Sequence, residues 1–86
     1  MRLTVAVVQQ LLDQNEGYED RTKDEQRNYQ NYRHYYISGG KLYIQESGKT
    51  SWSDSRYSNE PFVADIDQTR RFLRPRLFSL NTDGIE

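Results

Sequence analysis

Hydrophobic positions near the start of the chain recur with a helical period. Val5, Val8, Leu11 and Leu12 fall on one stripe at spacings of three, four and seven, which predicts a helix from about Val5 to Gln14. Thr4 stands where a hydroxyl can cap the first turn, and Asn15-Glu16-Gly17 ends the element because glycine enters the left-handed region freely. Leu3, Val5 and Val7 also alternate, and the valines are β-branched, so a first strand passing into a helix is the competing assignment.

Residues 18–30 show no apolar period and read as a polar connection, with at most a short strand near Tyr18. From Asn31 the period changes to two. In NYRHYYISGGKLYI, Gly39-Gly40 joins two runs rich in aromatic and β-branched residues, and both turn positions can take positive φ, the signature of a two-residue hairpin. That turn sets the register: Ser38 opposite Lys41, Ile37 opposite Leu42, Tyr36 opposite Tyr43, Tyr35 opposite Ile44, His34 opposite Gln45 and Arg33 opposite Glu46. Ser47-Gly48 predicts a second reversal, sending Lys49 to about Asp54 back as a third strand with Trp52 beside Tyr43.

Residues 53–61 are rich in turn formers, and Phe62 and Val63 are expected to return to the core. Asp65 or Asp67 can cap a second helix, whose buried stripe is Thr69, Phe72, Leu73, Leu77 and Leu80. Pro75 has no amide hydrogen, so it either kinks that helix or opens a new turn. Residues 81–86 lack a period and are expected to fray. The pattern as a whole predicts an α+β fold in one small domain over 1–86: an N-terminal helix, a three- to four-stranded antiparallel β-meander, and a C-terminal helix interrupted or kinked at Pro75.

Sorting the hairpin by face divides its side chains into two sets. Tyr35, Ile37, Leu42 and Ile44 share one side and make the better core, since the helix stripe of Val8, Leu11 and Leu12 needs an aliphatic partner. Tyr32, His34, Tyr36, Tyr43, Gln45 and Trp52 share the other. Two readings of that second side stand: a helix lies over Tyr36, Tyr43 and Trp52 and they are core, or the aromatic side is open and rimmed by Lys41, Arg33 and Arg56.

Composition narrows the function classes. With 34% hydrophobic and 29% charged residues in 86, the core is small and stability of roughly 5 kcal/mol is expected. There is no cysteine, which removes thiol chemistry and cysteine-ligated zinc and favours a cytoplasmic location. Gln9, Gln10 and Asp13 break any apolar run near the start, so no membrane span is expected. The net charge of −1 argues against a dedicated duplex binder, which needs a basic excess to neutralise phosphates. Basic residues are nonetheless clustered at Arg70, Arg71, Arg74 and Arg76.

Catalytic and metal signatures are weak. Gly48-Lys49-Thr50 matches the end of a phosphate-binding P-loop, but Tyr43 sits where its first glycine belongs. A calcium loop starting at Asp13 would need an oxygen ligand at Gly17 and a glycine at Tyr18. His34, the sole histidine, cannot build a multi-histidine metal site, and no spacing supports its pairing with Ser53 and Asp54 as a nucleophile system. The chain is therefore expected to be no enzyme and to need no cofactor or metal. The function expected is a protein-binding module of the small accessory or inhibitor kind that phages and mobile elements use, occluding a partner surface through Tyr32, His34, Tyr36, Lys41, Tyr43 and Trp52. Single-stranded nucleic acid is the alternative partner, with bases stacked on those rings and phosphates on a second patch of Arg70, Arg71 and Arg74.

Overall fold

Thr4 starts the first helix, α1 (Val5–Gln14), its Oγ1 accepting from the Val7 amide at 3.2 Å. The computed structural model describes residues 1–26, 29–50 and 56–85. After α1 the chain forms β1 (Glu19–Gln26), β2 (Tyr29–Ser38), β3 (Lys41–Thr50), β4 (Arg56–Ser58) and β5 (Phe62–Val63). It ends with α2 (Ile66–Leu73) and a 3-10 turn over Arg74–Arg76. The sheet is antiparallel, ordered β1-β2-β3-β4, with β5 pairing β3 farther along the edge that β4 occupies. This is the expected α+β architecture.

The hairpin register is the one the glycine pair predicts, from Ser38 opposite Lys41 through Arg33 opposite Glu46. Gly39 and Gly40 have φ of 59° and 73°, which side chains with a Cβ rarely adopt. Under the hairpin, Ile37 and Leu42 join Leu3, Val8, Leu11 and Leu12 from the N-terminal side and Phe72, Leu73 and Leu80 from the C-terminal side in one core. Each such aliphatic side chain taken out of water stabilises by roughly 1.5–3 kcal/mol. Both helices therefore cover the same face of the sheet.

Asp65, rather than Asp67, caps α2. Its Oδ1 accepts from the Gln68 amide at 2.8 Å while Gln68 Oε1 accepts from the Asp65 amide at 3.0 Å. This reciprocal box satisfies two amides that the helix leaves unpaired. Pro75 opens a new turn: α2 stops at Leu73 and the chain tightens into the 3-10 turn.

Four expectations are corrected. Residues 18–30 hold a full eight-residue strand, β1, continued toward the helix by Gly17 N donating to Ile37 O and Ile37 N donating to Tyr18 O, both at 2.9 Å. No reversal occurs at Ser47-Gly48, because β2 runs unbroken opposite them and the pairs Tyr32–Ser47 and Asn31–Gly48 extend the ladder. Lys49 and Thr50 thus finish β3, and Trp52 lies outside the described residues. Phe62 and Val63 are exposed: β5 is a two-residue strand at the sheet edge, with Phe62 bordering an open groove beside α2 and Val63 paired with Tyr43. Finally, the segment expected to fray is tied down: Asn81 is hydrogen-bonded to buried Asn15 through both its main-chain groups, and Ile85 packs against the core.

The molecule is elongated, measuring 50 × 22 × 19 Å. Ten-residue strands span about 33 Å, longer than either helix. The sheet's buried aliphatic residues, Ile37, Leu42 and Ile44, all lie near the glycine turn. Beyond them the helix-side face carries Arg33 and Glu46, and the sheet outruns its cover.

Candidate functional site

The alternation that sends Ile37 and Leu42 beneath the helices sends Tyr36 and Tyr43 to the opposite face, against which neither helix packs. Along β2 that face presents Tyr32, His34 and Tyr36, all half-buried, with Tyr43 of β3 directly across from Tyr36. The Tyr36 and Tyr43 ring centroids are 5.1 Å apart with planes 11° from parallel, and the His34 ring lies 5.3 Å from Tyr36 at a 42° tilt. Rings lying flat beside each other on a sheet cannot come that close. Tyr36 and Tyr43 therefore stand face to face in an offset stack, and what they turn outward is ring edge and hydroxyl.

β1 supplies the flank. Its register sets Glu19 beside Tyr36, Arg21 beside His34 and Lys23 beside Tyr32. Glu19 Oε2 is 3.2 Å from His34 Nε2, and Glu25 Oε1 is 2.7 Å from Lys23 Nζ, which also sits 5.7 Å from the centre of the Tyr32 ring. The hydrogen-bonded Glu25 carboxylate holds the Lys23 ammonium above its ordinary pKa. Among the described residues the Arg21 guanidinium has no counter-ion. Arg21, Lys23, Tyr32, His34, Gln45 and Ser47 line a shallow groove of ≈ 370 Å³ along this face.

The structure thus brings together Tyr32, His34, Tyr36 and Tyr43, with exposed Lys41 on the same face at the glycine turn. Arg33, expected at the rim, lies instead on the helix side, where Glu46 Oε1 is 3.1 Å from its Nε. Its odd position in β2, in phase with Tyr35 and Ile37, dictates this. Trp52 and the Arg56 side chain lie outside what is described. Arg21 and Lys23 are flanking residues that periodicity does not reveal, because only their pairing with β2 places them there.

The arginines of α2 do not form one patch. Arg70 Nε donates to Leu3 O at 2.9 Å and its Nη1 is 3.5 Å from Asp67 Oδ1. Arg71 turns toward a second groove, of ≈ 300 Å³, between α2 and the helix-side face of the sheet. Arg74 is exposed at the end of the helix, and Phe78, past the 3-10 turn, is 90% exposed.

The weak chemical motifs take structural roles. Gly48 and Lys49 lie within the β3 ladder, so their amides run along a sheet rather than around a phosphate. Asp13 lies in the last turn of α1 and accepts from Gln9 Nε2 at 3.0 Å. His34 meets Glu19, while Ser53 and Asp54 lie outside the described residues. Among the described residues no three His, Asp or Glu side chains gather as metal ligands do, and no helix is long and apolar enough to cross a membrane. Comparisons with family models, curated proteins and solved structures return no match to this chain.

Proposed function

We propose that this chain is a non-catalytic protein-binding module that docks a partner protein on the tyrosine face of its sheet and acts by covering a surface of that partner. The observation that carries the proposal is the Tyr36–Tyr43 stack on the face opposite both helices, with His34 against it. Two rings already packed on each other lose little freedom on binding, and their edges and hydroxyls suit a protein surface of mixed character. Arg21, lacking a counter-ion among the described residues, adds a site for an acidic group of the partner at the flank.

The same geometry weighs against single-stranded nucleic acid. Base stacking needs an open flat ring, and here Tyr36 and Tyr43 each give one face to the other while His34 packs against Tyr36. The Lys23 ammonium beside them is already paired with Glu25, and the Glu19 carboxylate on the same face opposes a phosphate.

The test is quantitative capture from the native host lysate with the wild type, a Tyr36→Ala/Tyr43→Ala double variant, and an Arg71→Gln variant altered on the other face. A defined protein captured by wild type and Arg71→Gln, and lost at least about tenfold by the double variant, supports the assignment. Equal capture by the folded double variant removes it. Saturable, steeply salt-dependent anisotropy of mixed single-stranded oligonucleotides would transfer the face to the nucleic-acid reading instead.

A further inference from the structure

The groove between α2 and the helix-side face of the sheet has a different chemistry from the tyrosine face. Its apolar floor is Tyr35, Ile44, Phe62 and Phe72, and its polar wall is Arg33, Glu46, Gln68, Arg71 and Arg76. Arg76 is held in place: Nε donates to Asp20 Oδ2 and Nη1 to Phe72 O, both at 2.8 Å, and the guanidinium lies 4.1 Å from the Phe72 ring centre. Arg33 is likewise held by Glu46. Three guanidiniums thus face two carboxylates, Glu46 and Asp20, and Arg71 is left without a counter-ion among the described residues.

Hydrogen-bonding capacity points the same way. Gln68 has its Oε1 committed to the Asp65 amide, so its Nε2 amide group is what it has left to offer. Arg71 brings a donor fork and no acceptor. Glu46, the one acidic acceptor in the wall, is already engaged by Arg33. The groove offers donors and positive charge above an aromatic floor, and a volume of ≈ 300 Å³ sits at the lower end of small-molecule sites.

We infer that this groove is a binding site for a small organic anion, a carboxylate or phosphate monoester attached to a flat apolar group, with Arg71 and Gln68 as the ligand-engaging donors, Arg76 as a fixed cationic wall and the exposed Phe62 ring beneath the apolar part. It lies on the face opposite the tyrosine stack and is independent of what docks there.

The experiment is a two-dimensional NMR titration of the full chain with phenyl phosphate, benzoate and inorganic phosphate, followed at the Gln68 side-chain amide and at residues 62 and 68–76. The expected result is saturable shifts there with phenyl phosphate or benzoate, weaker binding of inorganic phosphate, and at least about tenfold loss of affinity in Arg71→Gln, part of which Arg71→Lys recovers. Whichever of the two aromatic acids binds tighter identifies the headgroup. Tyr36→Ala/Tyr43→Ala is expected to bind as the wild type does. Absence of saturable shifts with both aromatic acids overturns the inference, as does unchanged affinity in a folded Arg71→Gln, or inorganic phosphate binding as tightly as the aromatic acids.

Discussion

Asn15 and Asn81, 66 residues apart, meet as a hydrogen-bonded pair: Asn15 Nδ2 donates to Asn81 O at 3.0 Å, and Asn15 Oδ1 accepts from Asn81 N at 2.8 Å. The side-chain amide of a buried residue here stands in for one strand of a ladder, and its Nδ2 also donates to Leu11 O at 2.8 Å. One residue thus closes the end of α1 and anchors the C-terminal segment. Asn15→Ala is expected to lower stability by about 2–3 kcal/mol, since it strands two main-chain groups of Asn81 and leaves Leu11 O with only the residue-15 main-chain amide, at 3.1 Å, as donor. Urea unfolding gives the measure, and a loss under about 0.5 kcal/mol is inconsistent with the anchoring role.

The stacked tyrosines are expected to matter less for folding than for contact. A double-mutant cycle on Tyr36→Ala and Tyr43→Ala should give a coupling of about 0.5–1.5 kcal/mol, the range for an aromatic pair beyond its area burial. Leu42→Ala, one position away on the core side, should by comparison cost about 2–5 kcal/mol. If the tyrosine truncations prove as damaging as Leu42→Ala, the face is structural.

The two turn glycines should respond differently. An added Cβ meets nothing within 4 Å at Gly39, but at Gly40 it meets Asp13 Oδ1 at 2.9 Å and Gln9 Nε2 at 3.0 Å. Those are ends of flexible side chains that can swing away, at the expense of the Gln9 hydrogen bond to Gly40 O. Gly39→Asn should be within about 0.5 kcal/mol of wild type, because asparagine tolerates positive φ. Gly40→Ala should lose about 1–2 kcal/mol. Thermal melts of the two variants side by side decide it.

Acid should expose the Asp20–Arg76 pair. The Arg76 guanidinium, hydrogen-bonded at 2.8 Å, holds the Asp20 carboxyl below its ordinary pKa against a partly opposing desolvation. A carboxyl whose folded pKa lies below its unfolded value contributes stability above the unfolded value and loses that contribution as pH falls through the folded one. The stability difference between wild type and Asp20→Asn should therefore be constant near neutrality and shrink steadily once pH drops below the ordinary aspartate range. A difference independent of pH across that range contradicts the pairing.

How far residues alone carry this molecule depends on where each segment sits relative to the core. Thr4, the Val8-Leu11-Leu12 stripe, Asp65 and the Phe72-Leu73 pair are legible because capping and one-sided burial impose a period on neighbouring residues. β1 is illegible for the converse reason. EDRTKDEQ lies on the sheet edge past the helices, so neither of its faces is under pressure to be apolar, and its residues are poor strand formers that β2 aligns through main-chain bonds. Ser47-Gly48 carries a local turn signal that the uninterrupted partner strand overrides.

The primary structure by itself determined both helices, the glycine turn, the hairpin phase and hence the two sets of rings, because caps, periods and positive φ act between near neighbours. Only the tertiary structure decided that both helices choose the aliphatic side, that Arg21 and Lys23 flank the tyrosines, and that Arg33, Arg71 and Arg76 converge on one groove. Those arrangements join residues far apart along the chain, and the burial that fixes them acts on the sum of apolar surface removed from water rather than on any local sequence of side chains.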